Sequence, residues 1–167
     1  MKTLTTPFSE EDIAALKVGD RVLINGYIYC GRDAVLPKIC QLIQENTLEQ
    51  YGIDLQGSVI FHTAVSSAGI GPTSSNKYEI ENSFIPLSKA GVKMHLGKGA
   101  IGRDTIAGIS NENAVFAVIP PVTALLKDNS TACELVAFPE LGMEAFYRIK
   151  VKNVPAIIAA AKNESIY

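Results

Sequence analysis

The feature that most constrains this chain is a short apolar run, Val59-Ile60-Phe61, followed soon after by Gly69-Ile70-Gly71-Pro72-Thr73-Ser74-Ser75-Asn76-Lys77-Tyr78-Glu79. Ser58 to Val65 reads as a strand, because a brief unbroken apolar run is what a strand buried on both faces displays. A helical pattern begins near Ile80. The stretch between is expected to be a strand-to-helix turn made of small residues, hydroxyls and one cation. Such a turn is well suited to an anion: Gly69 and Gly71 let the backbone come close, Pro72 fixes one φ angle, and the amides opening the next helix carry partial positive charge. The same residues also suit a plain helix start with Ser74 or Ser75 as N-cap, so the stretch alone leaves both readings open.

Composition narrows the class of function. The 167 residues suffice for one well-buried core and are short for two, so a single domain over 1–167 is expected. A net charge of −2 and 7% aromatic residues with no Trp give neither the charge nor the stacking surface for nucleic acid. No apolar run approaches membrane-spanning length and the start of the chain lacks a hydrophobic signal core, so no membrane partner is expected and a cytoplasmic location is. Cys30, Cys40 and Cys133 form no Cys-x-x-Cys pair, and His62 and His95 do not complete a ligand set with them. No metal site of the chain's own is expected, and the three cysteines read as ordinary buried or half-buried thiols.

Taken in order, Ser9 to Leu16 reads as a short helix with a Ser cap and acids in its first turn, ended by Gly19-Asp20. Arg21 to Cys30 is β-branched and aromatic, with Asn25-Gly26 marking either a tight hairpin or a bulge. From Gly31 to Ile43 the apolar spacing is helical, which puts Arg32 and Asp33 at a strand-to-helix junction and Pro37 in or near the first turn. An Arg there can grip a carboxylate with two parallel hydrogen bonds, or simply pair with Asp33 or another nearby acid. Residues 46–56 read as a connection. His62 is expected to be a structural strand residue. Ile80 to Ala90 is helical and closes on Gly91, with Pro86 able to kink or shorten it. Val92 to Leu96 is a strand leading into Gly97-Lys98-Gly99, with His95 half exposed on it. Beyond lie a strand at 114–119, a helix at 121–127 and strands at 133–138, 144–151 and 155–160. This mixture predicts an α/β layered domain with some antiparallel pairing.

Arg32, Lys77 and Lys98 each stand beside a small-residue turn after an expected strand, and turns at one end of a sheet converge. Together they would suit a small dicarboxylate. The stretches Gly26-Tyr27-Ile28-Tyr29-Cys30-Gly31-Arg32-Asp33-Ala34, Gly71-Pro72-Thr73-Ser74-Ser75, Gly97-Lys98-Gly99, Gly142-Met143-Glu144-Ala145 and Val154-Pro155 fall in the order and approximate spacing of one family. Over nearly its whole length the chain resembles the beta subunit of iron-sulfur fumarate hydratase and L(+)-tartrate dehydratase, equivalent to the C-terminal domain of single-chain class I fumarases.

The resemblance implies a swivelling β/β/α domain with a mixed sheet that supplies substrate-binding groups, while a separate alpha subunit holds a [4Fe-4S] cluster whose iron acts as a Lewis acid. It implies a hetero-oligomeric hydro-lyase acting on fumarate/malate or tartrate/oxaloacetate. By matching positions it makes Thr73 and Lys98 the catalytic groups, with Thr73 at the place of the proposed proton-transfer hydroxyl. Arg32, Asp33, Gly71, Pro72, Ser74 and Lys77 become substrate-binding residues, and Lys98 shares in holding carboxylates. The chain departs from the family pattern in three places. Val35 and Leu36 replace the Ala-His that ends Arg-Asp-x-Ala-His, Lys77 stands where Arg is usual, and Pro120-Pro121 replaces a glycine pair. Lys cannot reproduce the bidentate geometry of Arg, so the substrate is expected to differ or the activity to be weak. The alternative is a non-catalytic small-anion-binding module that kept the fold and lost the chemistry.

Overall fold

The computed structural model describes residues 1–66, 69–73, 77–119 and 130–167, and the side chains of these other than 64–80 and 130–132. In chain order the elements are β1 (Lys2–Thr5), α1 (Glu10–Ala14), β2 (Arg21–Cys30), α2 (Leu36–Glu45), β3 (Val59–Phe61), β4 (Thr63–Ser66), β5 (Gly69–Thr73), α3 (Lys77–Lys89), β6 (Met94–Gly97), α4 (Arg103–Asn111), β7 (Val115–Val118), β8 (Ser130–Ala137), β9 (Phe146–Ala161) and β10 (Glu164–Ser165). Short 3₁₀ turns occupy Leu48–Tyr51 and Pro139–Glu144.

Strands β1, β2, β3, β6 and β7 are joined by parallel pairing, and β9 runs antiparallel to both β7 and β2. The ladder β2-β3-β6-β7-β9 therefore returns to β2, and the mixed sheet closes on itself. Alternation along the strands explains what fills the ring. Val22, Ile24, Ile28 and Cys30 of β2, Val59 and Phe61 of β3, Met94 and Leu96 of β6, Val115 and Ala117 of β7 and Ile149, Val151, Val154, Ala156 and Ile158 of β9 form one buried cluster. The outward positions are covered by helices. Tyr29 and Ile60 pack beneath Leu36, Ile39 and Leu42 of α2 and Leu87 of α3. Phe116, Ala159 and Ala160 pack with Phe84 of α3 and Ile106 and Ile109 of α4.

Closure depends on a bend shared by β2 and β9. Asn25-Gly26 marks a bulge rather than a hairpin, and the extra residue lies opposite, on β9: Ile24 pairs with Val154 and Gly26 with Val151, so β9 carries one more residue across the irregularity. Gly26 has φ 100°, and a Cβ there would collide with Thr6. Asn153 answers from β9 with φ 52°, its N–H donating to Asn25 Oδ1 at 2.9 Å. The two strands expected at 144–151 and 155–160 are accordingly one 16-residue strand. Pro155 lies within it, opposite Leu23.

Several local expectations hold. Ser9 caps α1 in a reciprocal box, its Oγ accepting from Asp12 N–H at 3.1 Å while Asp12 Oδ2 accepts from Ser9 N–H at 3.0 Å. Pro37 sits in the first turn of α2, where its missing N–H costs no helical bond. Other expectations are corrected. The strand expected from Ser58 to Val65 breaks at His62, so that β3 stays in the main sheet and β4 leaves it. Gly69–Thr73, expected as a turn, is strand β5, paired antiparallel with β4 through Thr63 with Thr73, Val65 with Ile70 and Ser66 with Gly69. The pairing satisfies backbone groups that an isolated turn would leave to solvent, and Pro72 is tolerated because a two-stranded ribbon consists of edges. Helix α3 begins at Lys77 rather than near Ile80 and runs through Pro86 to Lys89. The sequence reading passed over β1, α4 and β10. Residues 74–76, with the expected Ser74 or Ser75 cap, and the helix expected at 121–127 lie outside the described residues.

Candidate functional site

Parallel pairing brings the ends of β2, β3 and β6 to one edge. Gly31 N–H, just past β2, donates to Phe61 O at 3.0 Å, and His62 N–H, just past β3, donates to Leu96 O at 3.1 Å. The chain then enters the β4–β5 ribbon, where Thr63 lies opposite Thr73. Gly97 ends β6 and Lys98 follows it. Strand β9 is antiparallel to β2 and starts at the same edge, with Tyr147 opposite Cys30, so Glu144 stands there too. Arg32, the Gly71-Pro72-Thr73 backbone and Lys98 thus come to adjacent strand ends, although they are spread over 67 positions of sequence.

Arg32 is held by a carboxylate. Its Nε donates to both oxygens of Glu144 at 3.1 Å, and one terminal nitrogen donates to Oε1 at 2.9 Å. This carboxylate partner lies 112 positions away in the sequence. Arg32 and Asp33 are half buried and each makes further contacts. Arg32 reaches this place because Gly31 allows α2 to start against the strand end. A Cβ at Gly31 would come to 2.8 Å from Val35 Cγ1 and 3.1 Å from both Leu36 Cδ2 and Phe146 Cδ1. Val35 and Leu36, the departures beside Arg32, are buried in the core under α2. Glu144 is itself pinned: Gly142, at φ 60° and ψ −122°, presents a carbonyl that accepts from Ala145 N–H at 3.0 Å and from Tyr147 O–H at 2.9 Å.

Lys98 is exposed, and among the described residues its ammonium makes no hydrogen bond or ion pair. Gly99 beside it has φ 75°, which favours glycine in this turn. Gly71, Pro72 and Thr73 are placed by backbone in β5. The side chains of Thr73 and Lys77, all of Ser74, and Pro120-Pro121 lie outside the described residues.

Behind this edge is a group that sequence reasoning undervalued. His95 is fully buried, not half exposed. Its Nδ1 is 3.1 Å from His62 Nε2, its Nε2 is 2.9 Å from Ser88 Oγ, and its ring stacks on Phe84 at 4.3 Å between centroids. Burial holds both imidazoles neutral, pushing His95 down to about 3 and His62 well below its ordinary value, with the neighbouring His95 adding to the latter. One ring then donates to the lone pair of the other, while His62 Nδ1 is left without a partner. The network ties α3, which begins at Lys77, to the strands that lead to the ribbon and to Lys98. A clue was available in the alternation of β6, where His95 falls between inward-facing Met94 and Leu96 and so points at whatever covers the sheet.

Cys30 is buried in the ring and its thiol is pushed far up by burial, Cys40 is half buried, and Cys133 is exposed, contrary to expectation. Among the described residues no three His, Cys, Asp or Glu side chains gather where they could hold a metal ion. These residues do not fit an iron-sulfur cluster. Among the described residues, too, no helix is long and apolar enough to cross a membrane.

Comparison with known proteins identifies the family. The family model described as Fumarase C-terminus matches residues 2–167. A Methanocaldococcus jannaschii protein named "Putative L(+)-tartrate dehydratase subunit beta" is 31% identical over 170-odd positions, covering 95% of this chain and 87% of its own. The Escherichia coli K12 protein named "L(+)-tartrate dehydratase subunit beta" is 30% identical, covering 95% of this chain and 82% of its own. A Geobacillus stearothermophilus protein named "Putative fumarate hydratase class I" is 32% identical over 93% of this chain, which spans only 31% of that longer relative. The chain belongs to the fumarase C-terminus family, with the beta subunits of the class I fumarate hydratase and L(+)-tartrate dehydratase group.

Proposed function

We propose that this chain is the substrate-binding beta subunit of a hydro-lyase that adds water to, or removes it from, a small dicarboxylate of the fumarate/malate or tartrate/oxaloacetate type. The observation that carries the reading is the meeting of Arg32, the Gly71-Pro72-Thr73 strand and Lys98 at adjacent ends of β2, β5 and β6. In such a reaction a proton leaves the carbon beside one carboxylate while hydroxide leaves the neighbouring carbon, and the two depart as water. Charge accumulates on the carboxylate next to the carbanionic centre, so fixed cations lower the barrier. Arg32 would bind one substrate carboxylate in a planar fork and Lys98 the other as a point charge, with Asp33, Gly71, Pro72, Ser74 and Lys77 completing the binding surface. Thr73 would carry the proton, which requires a neighbour able to activate its hydroxyl.

The cluster would be contributed by a separate alpha subunit, and the domain would be of the swivelling β/β/α type that closes against it. The test is anaerobic co-purification from the native host, followed by assays of fumarate hydration and tartrate dehydration. Turnover by an iron- and sulfide-bearing complex, absent from either chain alone, is expected. A chain that purifies alone, or a complex that binds these dicarboxylates and transforms none of them, overturns the reading in favour of an anion-binding module.

A further inference from the structure

We infer that Glu81 is a positioning residue for Lys98: by capping α4 from the side of α3, it fixes where the Gly97-Lys98-Gly99 turn holds the ammonium. The inference rests on the function proposed above, since Glu81 would serve the part that Lys98 plays there. Gly97 is the last residue of β6 in the ladder with β7. Beyond it, among the described residues, Lys98, Gly99, Ala100 and Ile101 make no hydrogen bond. Ile101 packs against the cluster that contains Phe84 and Ile106. The first hydrogen-bonded tether after the ladder is Gly102, whose N–H donates to Glu81 Oε1 at 2.6 Å.

Two features separate this contact from an ordinary helix cap. The side chain of the N-cap residue normally supplies the acceptor, and Gly102 has none, although its φ −71° and ψ 158° are the extended backbone that a capping Ser adopts. The carboxylate comes instead from α3, 21 positions earlier and one turn past Lys77. A local cap would stabilise α4 wherever it lay, whereas this one also sets α4 against α3. The second feature is the close approach of the two helices. A Cβ at Gly102 would lie 3.2 Å from Glu81 Oε1, and one at Gly108, further along α4, would run into Ile85 of α3. On the other side of the turn, Ser88 Oγ of α3 is 2.9 Å from His95 Nε2 on β6. The strand before Lys98 and the helix after it are both fastened to α3, so the turn between them is bracketed.

The test uses the purified complex with Glu81→Ala, Glu81→Gln, Glu81→Ala/Gly102→Ser, Lys98→Ala and Glu81→Ala/Lys98→Ala, measuring kcat, KM, melting temperature and calorimetric binding of fumarate and tartrate. Gly102→Ser gives α4 a cap of its own without the tie to α3, in space that Glu81→Ala opens. Glu81→Ala is expected to lower kcat/KM about 10–10²-fold, the scale on which a charge-stabilising group displaced by about 1 Å loses its effect. Glu81→Gln keeps an oxygen for Gly102 N–H and should retain most of the activity. Adding Gly102→Ser to Glu81→Ala should restore the melting temperature and leave kcat/KM low. In the Lys98→Ala background, Glu81→Ala should lower the melting temperature without lowering kcat/KM further. Unchanged kcat/KM in Glu81→Ala, its recovery together with the melting temperature in Glu81→Ala/Gly102→Ser, or an undiminished effect of Glu81→Ala without Lys98 overturns the inference. If the unaltered complex binds a dicarboxylate without turnover, the function proposed above fails while the same comparison, read as Kd, still decides the role of Glu81. If it binds neither dicarboxylate, both fall.

Discussion

Strand β6 has a lysine at each end. At its entry Lys93 is 6% exposed, its ammonium 2.8 Å from Glu10 Oε1 and 3.0 Å from Glu112 O, and Asn113 Nδ2 donates to the same Glu10 carboxylate at 2.6 Å. These contacts hold Glu10 below the usual carboxylate range, the hydrogen bond from Lys93 being the larger cause and that from Asn113 the next. At the exit Lys98 is exposed and, among the described residues, pairs with nothing. Between them His95 is buried on the same strand. The same residue type thus serves architecture at one end of the sheet and is left available at the other. What distinguishes them is whether the fold supplies a counter-charge, because a cation that the protein has not neutralised can attract an anion from solution.

The comparison can be tested at each of its points, beginning with the change expected to be largest. Lys98→Ala should lower turnover by the holo complex about 10²–10³-fold, as removal of a preorganised charge-stabilising donor does, and leave the melting temperature unchanged. Activity near that of the unaltered complex would remove Lys98 from the site.

The buried histidines should make the middle of the strand sensitive to acid. The unfolded chain takes up protons on both rings below about pH 6.5, whereas the fold keeps them neutral, with His95 held down to about 3. Stability is therefore flat above that pH and falls as pH drops through the window beneath it, by about 1.4 kcal/mol per pH unit for each histidine. Denaturant titrations from pH 8 to 5 should show this slope, and the His62→Phe/His95→Leu variant should have lost it. A slope unchanged by that replacement would mean that other groups carry it.

Lys93→Ala strips a charge-assisted bond from Glu112 O and exposes apolar surface under the stem, for a loss of about 1–3 kcal/mol in chemical denaturation with kcat unaffected. A fall in kcat at constant stability would contradict the division between the two ends. Smallest of all, Lys2→Ala should cost under about 0.5 kcal/mol although Lys2 Nζ reaches Asp20 Oδ2 at 3.2 Å, because the lysine is 46% exposed and such pairs are screened.

How far the sequence could be read followed the range of the interactions concerned. The Ser9–Asp12 box, Pro37 in the first turn of α2 and the glycines around Lys98 involve neighbours within a few residues, and each was legible. Gly69–Thr73 was misread as a turn because its glycines and proline suit one equally well. Only the presence of β4, displaced from the main sheet at His62, supplies the partner that makes it a strand. The 16 residues of β9 looked like two strands because Asn153 and Pro155 interrupt the pattern, and the bulge opposite Asn25-Gly26 is what lets the chain continue through them.

By itself, then, the sequence determined strand β2 up to Cys30, the strand that leads into Gly97-Lys98-Gly99, and the family to which the motifs point, since alternation, capping and glycine placement are local constraints on φ and ψ. Only the tertiary structure decided that the sheet closes on itself, that His95 is buried against His62 and Phe84, and that Arg32 is met by Glu144 from 112 positions away. Contacts of that kind are absent from local propensity, because their partners become neighbours only after strands far apart in sequence have paired.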